Sequence, residues 1–186
     1  MPPLVFTLGH STRSFDELIA LLGEHGIGQL IDVRRYPASG RHPQFGRERL
    51  ERSLAEAGVG YVHEADLGGQ REARTDSRNT AWREEAFRGY ADHMASGEFQ
   101  QALGRVLRRA AEGRVVVMCA EADPRKCHRQ ILADALLARG AEVRHILGPG
   151  RSEDHALHAG ARLVADGGIV YDAGRQLSLM PKAVRG

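Results

Sequence analysis

Short apolar runs alternate along the chain with longer segments whose apolar residues recur at helical spacing. The apolar runs at 29–33, 59–63, 114–118 and 142–147, together with Leu4 to Leu8, predict five buried strands. The segments with helical spacing are 15–25, 47–57, 82–94, 98–112 and 128–138. Strands that alternate with helices form parallel sheets covered on both faces. We therefore expect an α/β fold, a single domain with a mainly parallel sheet of about five strands.

The composition changes after Gly148-Pro149-Gly150. We expect residues 1–148 to form the α/β domain with the functional site, and residues 149–186 to form a C-terminal extension. Within the extension, 151–160 is predicted as a short helix, 162–171 as a small hairpin, and the last dozen residues as a tail.

Length and composition narrow the class of protein. A chain of 186 residues with 42% hydrophobic residues is ordinary for one globular domain and too apolar for disorder. It contains no apolar segment of the ~20 residues that span a bilayer, and its N-terminus has neither a basic start nor a cleavage site. We therefore expect a cytoplasmic protein with no membrane partner. In a reducing compartment the two cysteines are expected to be catalytic, metal-binding or free thiols rather than a structural disulfide.

The type of basic residue is more informative than the number of basic residues. Lys126 and Lys182 are the only lysines among 26 basic residues, so all the others are arginine. Arginine suits bidentate phosphate contacts. A GC-rich coding bias explains the same composition.

Reactive polar residues follow the predicted strands at the points where the strands end. They are His10, Ser11, Asp32, Arg34, Arg35, Glu64, Asp66, Cys119 and Glu121. In an open α/β sheet, ligands bind beyond the carboxyl ends of the strands. We therefore expect His10, Arg34, Glu121 and Arg129 to converge on one cleft.

The strongest local pattern surrounds the fourth predicted strand. Met118-Cys119-Ala120-Glu121 ends that strand, and Cys127-His128-Arg129 opens the next helix. Free N–H groups and the helix dipole favour an anion at that position and lower the pKa of a cysteine there. Cys119 and Cys127 are therefore candidate reactive thiols, although Cys119 is explained equally well as a small core residue.

One chemistry for this loop is that of the cysteine phosphatases. Cys119 to Arg125 matches the spacing C-x5-R between a strand and a helix. Glu121 and Asp123 argue against it, because carboxylates inside the loop would repel a bound phosphate.

Two other chemistries remain open. A metal could bind to a set drawn from Cys119, Cys127, His128 and His10, although their spacing is not that of a structural zinc site. Alternatively Glu121 pairs with Arg34 or Arg129 and orients that arginine for phosphate, or acts as a base itself.

Four motifs together resemble a known family. They are G-H-S-T at 9–12, D-V-R at 32–34, L-G-G at 67–69 and C-A-E…C-H-R at 119–129. The combination is similar to the family catalogued as domain of unknown function 488, over roughly residues 4–148. The resemblance implies an α/β bacterial protein and brings no established reaction.

The tail offers a separate clue. Gln176-Leu177-Ser178-Leu179-Met180 is similar to the peptide Q-L-[S/D]-L-F that binds the bacterial sliding clamp. In that interpretation Gln176 sets the register, and Leu177, Leu179 and Met180 contact the partner. The alternative is a chance sequence that packs as a terminal strand.

We therefore expect a DNA- or nucleotide-associated protein, an enzyme of the hydrolase type that acts on a phosphate-bearing substrate in replication or repair. Candidate catalytic residues are Glu121, Cys119, Cys127, His128, His10 and Asp32. Candidate phosphate-binding residues are Ser11, Arg34, Arg35, Arg71 and Arg129. A divalent metal is a candidate cofactor, and DNA, a nucleotide and a bacterial sliding clamp are candidate partners. The alternatives are a non-catalytic nucleic-acid-binding or adaptor protein, marked by steep salt dependence, and a thiol redox or metal-binding protein.

Overall fold

The computed structural model describes residues 1–38, 40–165 and 167–172. Its strands are β1 (Leu4–Gly9), β2 (Gln29–Asp32), β3 (Gly60–His63), β4 (Val115–Cys119), β5 (Glu142–Gly148), β6 (Arg151–Asp154), β7 (Ala161–Leu163) and β8 (Ile169–Tyr171). Its α-helices are α1 (Phe15–Glu24), α2 (Arg47–Glu56), α3 (Glu85–His93), α4 (Gly97–Glu112) and α5 (Arg129–Ala138). Short 3-10 helices occupy Pro43–Phe45, Ala65–Leu67 and Pro124–Lys126.

The main sheet has six strands in the order β3-β2-β4-β1-β5-β6. The first five of these run parallel, and β6 runs antiparallel to β5 at the edge. Strands β7 and β8 form a separate antiparallel hairpin. The predicted α/β class, the mainly parallel sheet and the C-terminal hairpin are therefore confirmed.

The prediction of a short helix at 151–160 is wrong, because Arg151–Asp154 form strand β6. All four residues are exposed, so apolar spacing carries no information about this segment. A tight turn with Gly150 at φ 63° brings the segment back along β5, where Asp154 accepts a 2.6 Å bond from Arg144 Nε. Backbone hydrogen bonds to β5 at the open edge of the sheet, rather than burial of apolar side chains, therefore determine the structure of residues 151–154.

The sheet is covered by helices on both faces. Leucines of α1 and α2 pack with Val116 and Met118, whereas α3, α4 and α5 pack with Val117 and Cys119. This alternation is the two-residue period of a strand that is buried on both sides. Cys119 therefore points to the face that α5 covers.

The neighbouring strands β1 and β4 lead to opposite faces of the sheet. After β1 the chain passes to α1, and after β4 it passes to α5, which lies on the other face. The N-terminus of α1 is fixed by a capping box, in which Glu17 N–H donates to Ser14 Oγ and Ser14 N–H donates to the Glu17 carboxylate. Two connections that diverge in this way leave a crevice beyond the strand ends, where α/β proteins bind ligands.

A line of buried polar side chains, here called the Asp134 network, joins α5 to the sheet and to β8. Thr7 Oγ1 lies 2.6 Å from His145 Nδ1, and His145 Nε2 lies 2.9 Å from His155 Nδ1. His155 Nε2 lies 2.8 Å from Asp134, which also accepts a 2.6 Å bond from the hydroxyl of Tyr171. A carboxylate only accepts, so His155 Nε2 and the Tyr171 hydroxyl are the donors to Asp134.

Candidate thiol and anion-binding site

The loop after β4 lies directly on the end of β1. His10 donates its backbone N–H to the carbonyl of Cys119 at 3.0 Å. A Cβ atom on Gly9 would lie 1.8 Å from the carbonyl oxygen of Glu121, so only glycine fits there. Ser11 adopts φ 48°, a conformation that non-glycine residues rarely take. The first and fourth strand ends therefore meet at one place.

Asp32, the last residue of β2, holds the guanidinium group of Arg34. Its carboxylate accepts bonds from Arg34 Nε at 2.9 Å and NH2 at 2.6 Å, and a third bond from the Tyr61 hydroxyl at 2.9 Å. Burial, aided by the charge of Asp32, raises the pKa of Tyr61, so this hydroxyl stays a donor. Both oxygens of Asp32 are thus occupied, and Asp32 serves to position Arg34.

His10 lies between Phe45 and Arg34. Its ring stacks on Phe45 with centroids 4.2 Å apart, and its Nδ1 is 3.0 Å from the carbonyl oxygen of Ser11. A carbonyl oxygen only accepts, so we assign the hydrogen to Nδ1, which leaves Nε2 to face Arg34 NH1 at 3.4 Å. Burial lowers the pKa of His10 to about 4, so the ring is neutral at pH 7.

The two cysteines form a pair of buried free thiols. Their Sγ atoms lie 2.9 Å apart. The hydrogen bond from Cys127, with help from the positive charge of Arg129, lowers the pKa of Cys119 to about 7 against the opposing effect of burial. The same hydrogen bond and burial raise the pKa of Cys127. Cys119 is therefore the thiol of the pair that ionises first, and Cys127 is the thiol that donates to it.

Arg129 is buried behind the loop that follows β4. Its side chain is 1% exposed, and its NH2 donates to the carbonyl of Ala122 at 3.1 Å. Its Nε and NH1 have no hydrogen-bond partner among the described residues. The expected pairing of Glu121 with Arg34 or Arg129 is not formed, because Glu121 is exposed and accepts the backbone N–H of Asp123 instead. Arg129 thus acts on the thiols through its charge.

His128 immediately precedes α5 and packs against two other elements. Its ring centroid is 4.9 Å from that of Tyr90, and its Nδ1 is 3.4 Å from Cys127 Sγ. A Cβ on Gly69 would lie 2.9 Å from Nδ1, so the second glycine of L-G-G makes room for this ring. Burial and then the charge of Arg129 lower the pKa of His128 to about 4. A hydrogen bond with the backbone of Val33 partly opposes this lowering.

These residues surround one cavity of about 480 Å3. Seven of the candidate residues line it, namely His10, Arg34, Arg35, Cys119, Glu121, Cys127 and His128. Four candidates do not appear on its wall, namely Ser11, Asp32, Arg71 and Arg129. Arg71 instead donates to the carbonyls of Gly68 at 3.1 Å and Ala65 at 3.2 Å, and so holds the L-G-G segment. The tail residues Gln176, Leu177, Leu179 and Met180 lie outside the described residues.

Sequence reasoning missed part of the wall. Tyr36, Arg41, His42 and Gln70 also line the cavity. The first three belong to a loop rich in proline, glycine and histidine, for which the sequence predicted no role. The available signal was position alone, because this loop directly follows the D-V-R motif at the end of β2.

The structure also bears on two of the chemistries that the loop 119–129 left open. Arg125 is exposed and pairs with Asp123 at 3.1 Å, so it does not turn back towards Cys119 as a phosphatase loop requires. Among the described residues, no three histidine, cysteine or acidic side chains are grouped as a metal site would need. The proposed ligand set of Cys119, Cys127, His128 and His10 is therefore not supported by this geometry.

A second cavity of about 560 Å3 lies between α3, α4, α5 and the β7–β8 hairpin. Its polar lining includes the ion pair of Arg74 with Asp76, and Asp92, which accepts bonds from Ser77 and Asn79. The described residues that line it include no cysteine or histidine. The candidate thiol and imidazole groups of the described residues therefore line the first cavity and not the second.

Fold and site together define an α/β protein with a thiol pair and arginines beyond the strand ends of a parallel sheet. The family described as Domain of unknown function DUF488 matches residues 14–136, which is more than half of the chain, and the chain belongs to this family. No curated protein and no solved structure matches the chain significantly. Within the described residues, no helix has the length and apolar character needed to cross a bilayer.

Proposed function

We propose that the protein is an enzyme that acts on a phosphate-bearing substrate, with Cys119 as its reactive group. One observation carries this proposal: the buried thiol pair lines the same cavity as Arg34, Arg35 and Arg41. Guanidinium groups bind phosphate oxygens through paired N–H donors, and the thiolate is the nucleophilic form of cysteine. The cavity therefore combines an anion-binding wall with a nucleophile.

The surrounding residues support a division of roles. Asp32 anchors Arg34, and the carbonyl of Gln70 holds Arg35 NH1 at 2.6 Å. Cys127 donates a hydrogen bond to Cys119 and so stabilises its thiolate form, which is the nucleophile. Glu121 is the acidic residue on the described wall, and its exposed carboxylate is a candidate base.

The proposal is tested by alkylation of Cys119 with iodoacetamide. We expect the rate to rise through an inflection near pH 7, and the reaction to be absent in Cys119→Ser. Pyrophosphate or a nucleotide at ten times its Kd should slow the reaction about tenfold, because only the empty site reacts. Arg41→Ala should weaken this protection. Arg83→Ala should leave the protection unchanged, because Arg83 is exposed and does not line the cavity. The absence of protection by inorganic phosphate, pyrophosphate, nucleotides and DNA oligomers would contradict the proposal.

The distance between the thiols favours a second candidate, a thiol redox protein. A separation of 2.9 Å is only about 1 Å longer than a disulfide bond. Titration against oxidised and reduced glutathione distinguishes the candidates. A reversible Cys119–Cys127 disulfide, without phosphate protection of Cys119, would favour redox function.

The link to DNA replication or repair rests on the peptide Gln176 to Met180, which lies outside the described residues. It stays a prediction from sequence, and so does the sliding clamp as a partner.

A further inference from the structure

We infer that the phosphate-bearing substrate of this cavity also carries a nucleobase, which stacks on the ring of Tyr36. The inference rests on the proposed function, because it names the chemical class of substrate for the same site. It assigns Tyr36 as the residue that distinguishes a nucleotide from other phosphate esters.

Tyr36 stands out from the other aromatic residues by its exposure. Its side chain is 66% exposed, and among the described large hydrophobic residues that are exposed it is the only aromatic one. The others are Met1, Leu157 and Leu163. Unlike these three, Tyr36 lines the cavity that holds the thiol pair. An exposed aromatic ring beside a binding cavity offers a flat apolar surface at low conformational cost.

The ring is held by a chain of contacts that begins in the L-G-G segment. The guanidinium carbon of Arg35 lies 5.4 Å from the centroid of the Tyr36 ring. Arg35 is itself fixed by the carbonyl of Gln70, a residue held at φ 59°. A Cβ on Gly68 would lie 2.7 Å from the Cα of Arg35, so this glycine lets the two loops meet. A strained backbone and a required glycine are thus used to place Arg35 against Tyr36.

An alternative explanation is that Tyr36 only packs against Arg35. Packing alone would be expected to remove the ring from water, yet about two thirds of the side chain remains exposed. The pair instead presents a cation and an aromatic face side by side. Proteins that bind nucleotides in single strands use this combination, since the cation tracks phosphate while the ring stacks on the base.

The arginines on the cavity wall favour a ligand that carries negative charge in addition to the flat ring that Tyr36 favours. Arg34, Arg35 and Arg41 face the cavity together with one carboxylate, that of Glu121. A neutral aromatic molecule would offer no negative charge to these guanidinium groups. A nucleotide unit, free or within a single strand, supplies both the phosphate and the base.

The test compares ligands with and without a base by calorimetry. Ribose 5-phosphate, adenosine 5′-monophosphate and a short oligothymidylate are titrated into the wild-type chain, Tyr36→Ala, Tyr36→Phe and Leu163→Ala. Stacking on an aromatic side chain contributes a factor of about 5- to 150-fold per base. We expect a preference of that size for adenosine 5′-monophosphate or the oligomer over ribose 5-phosphate. The preference should be lost in Tyr36→Ala and kept in Tyr36→Phe and in Leu163→Ala, a control at an exposed residue that does not line the cavity.

The possible results test the assignment of Tyr36 and the proposed function separately. If ribose 5-phosphate binds but the preference is absent or survives in Tyr36→Ala, the assignment of Tyr36 is wrong and the phosphate site stands. If none of the three ligands binds, the proposed function is contradicted as well. Stronger binding of the oligomer than of the mononucleotide identifies a strand as the substrate, and the reverse identifies a free nucleotide.

Discussion

Two clusters of buried polar groups contact α5, and they differ in how completely their hydrogen bonds are satisfied. In the Asp134 network, every polar side-chain atom has a hydrogen-bond partner. The residues of this network are Thr7, His145, His155, Asp134 and Tyr171. In the thiol site, both Nε and Nη1 of Arg129 have no partner among the described residues. One helix thus supports a saturated cluster and an unsaturated one.

This difference in hydrogen bonding indicates different roles, since one cluster stabilises the fold and the other adjusts the pKa of a thiol. A buried polar group without a partner costs about 1–3 kcal/mol, so a fold keeps such groups where another advantage compensates. Around the thiols the advantage is electrostatic, because the uncompensated guanidinium of Arg129 helps to lower the pKa of Cys119. The saturated network has no comparable reactive group, and we assign it to holding α5 and β8 on the sheet.

The largest expected effect follows from breaking the saturated cluster. Asp134→Ala removes the acceptor of His155 and Tyr171 and should lower the unfolding free energy by about 3–5 kcal/mol, measured by chemical denaturation. Asp134→Asn, which keeps one acceptor oxygen, should lose less. The alkylation inflection of Cys119 should stay near pH 7 in the folded variant. A loss of stability below about 1 kcal/mol in Asp134→Ala would show that the network is not structural.

The next effect concerns pH, which acts on both clusters. The pKa of His145 is lowered to about 3 and that of His128 to about 4, mainly by burial in each case. The unfolded chain takes up these protons near pH 6.5, whereas the folded chain does not. Stability should therefore fall as the pH drops from 7 to 5, by at most about 1.4 kcal/mol per pH unit for each histidine. Denaturation curves at three pH values measure the slope. His145→Gln and His128→Gln should each reduce it, and a flat profile in the wild-type chain would contradict the assignment of neutral buried histidines.

The smallest change in stability is expected in the unsaturated cluster. Arg129→Met removes a buried cation with two unpartnered nitrogens, so the unfolding free energy should change by less than about 1 kcal/mol. The pKa of Cys119 should nevertheless rise, and alkylation at pH 7 should slow. Arg129→Lys, which keeps the charge, should behave more like the wild-type chain in alkylation. An unchanged alkylation profile in Arg129→Met would remove Arg129 from the site.

The sequence predicted most of the fold because most elements have apolar residues to bury. Strand β4 is apolar throughout, and Ser14 with Glu17 marks the start of α1. Strand β6 was missed because its four exposed residues pair through the backbone alone. Periodicity reports burial, and an edge strand that buries nothing leaves no such signal.

The candidate site was predicted as a set of strand ends, but not as a set of contacts. The position of Cys119 and Cys127 around the β4–α5 loop indicated a thiol site. Whether Arg129 would point outward or lie buried depends on the packing of the loop above it, which no local pattern encodes. Tyr36 was missed for a related reason, since an aromatic residue in an irregular loop does not show which cavity it faces.

The close backbone contact at Gly9 restricts which substitutions this protein can accept during evolution. A side chain at position 9 cannot coexist with the present path of the chain at Glu121 and Ala122, since its first carbon would overlap their backbone. A viable replacement of Gly9 therefore requires an altered loop at the same time. The residue type allowed at position 9 is thus set by a loop that lies 112 positions further along the chain.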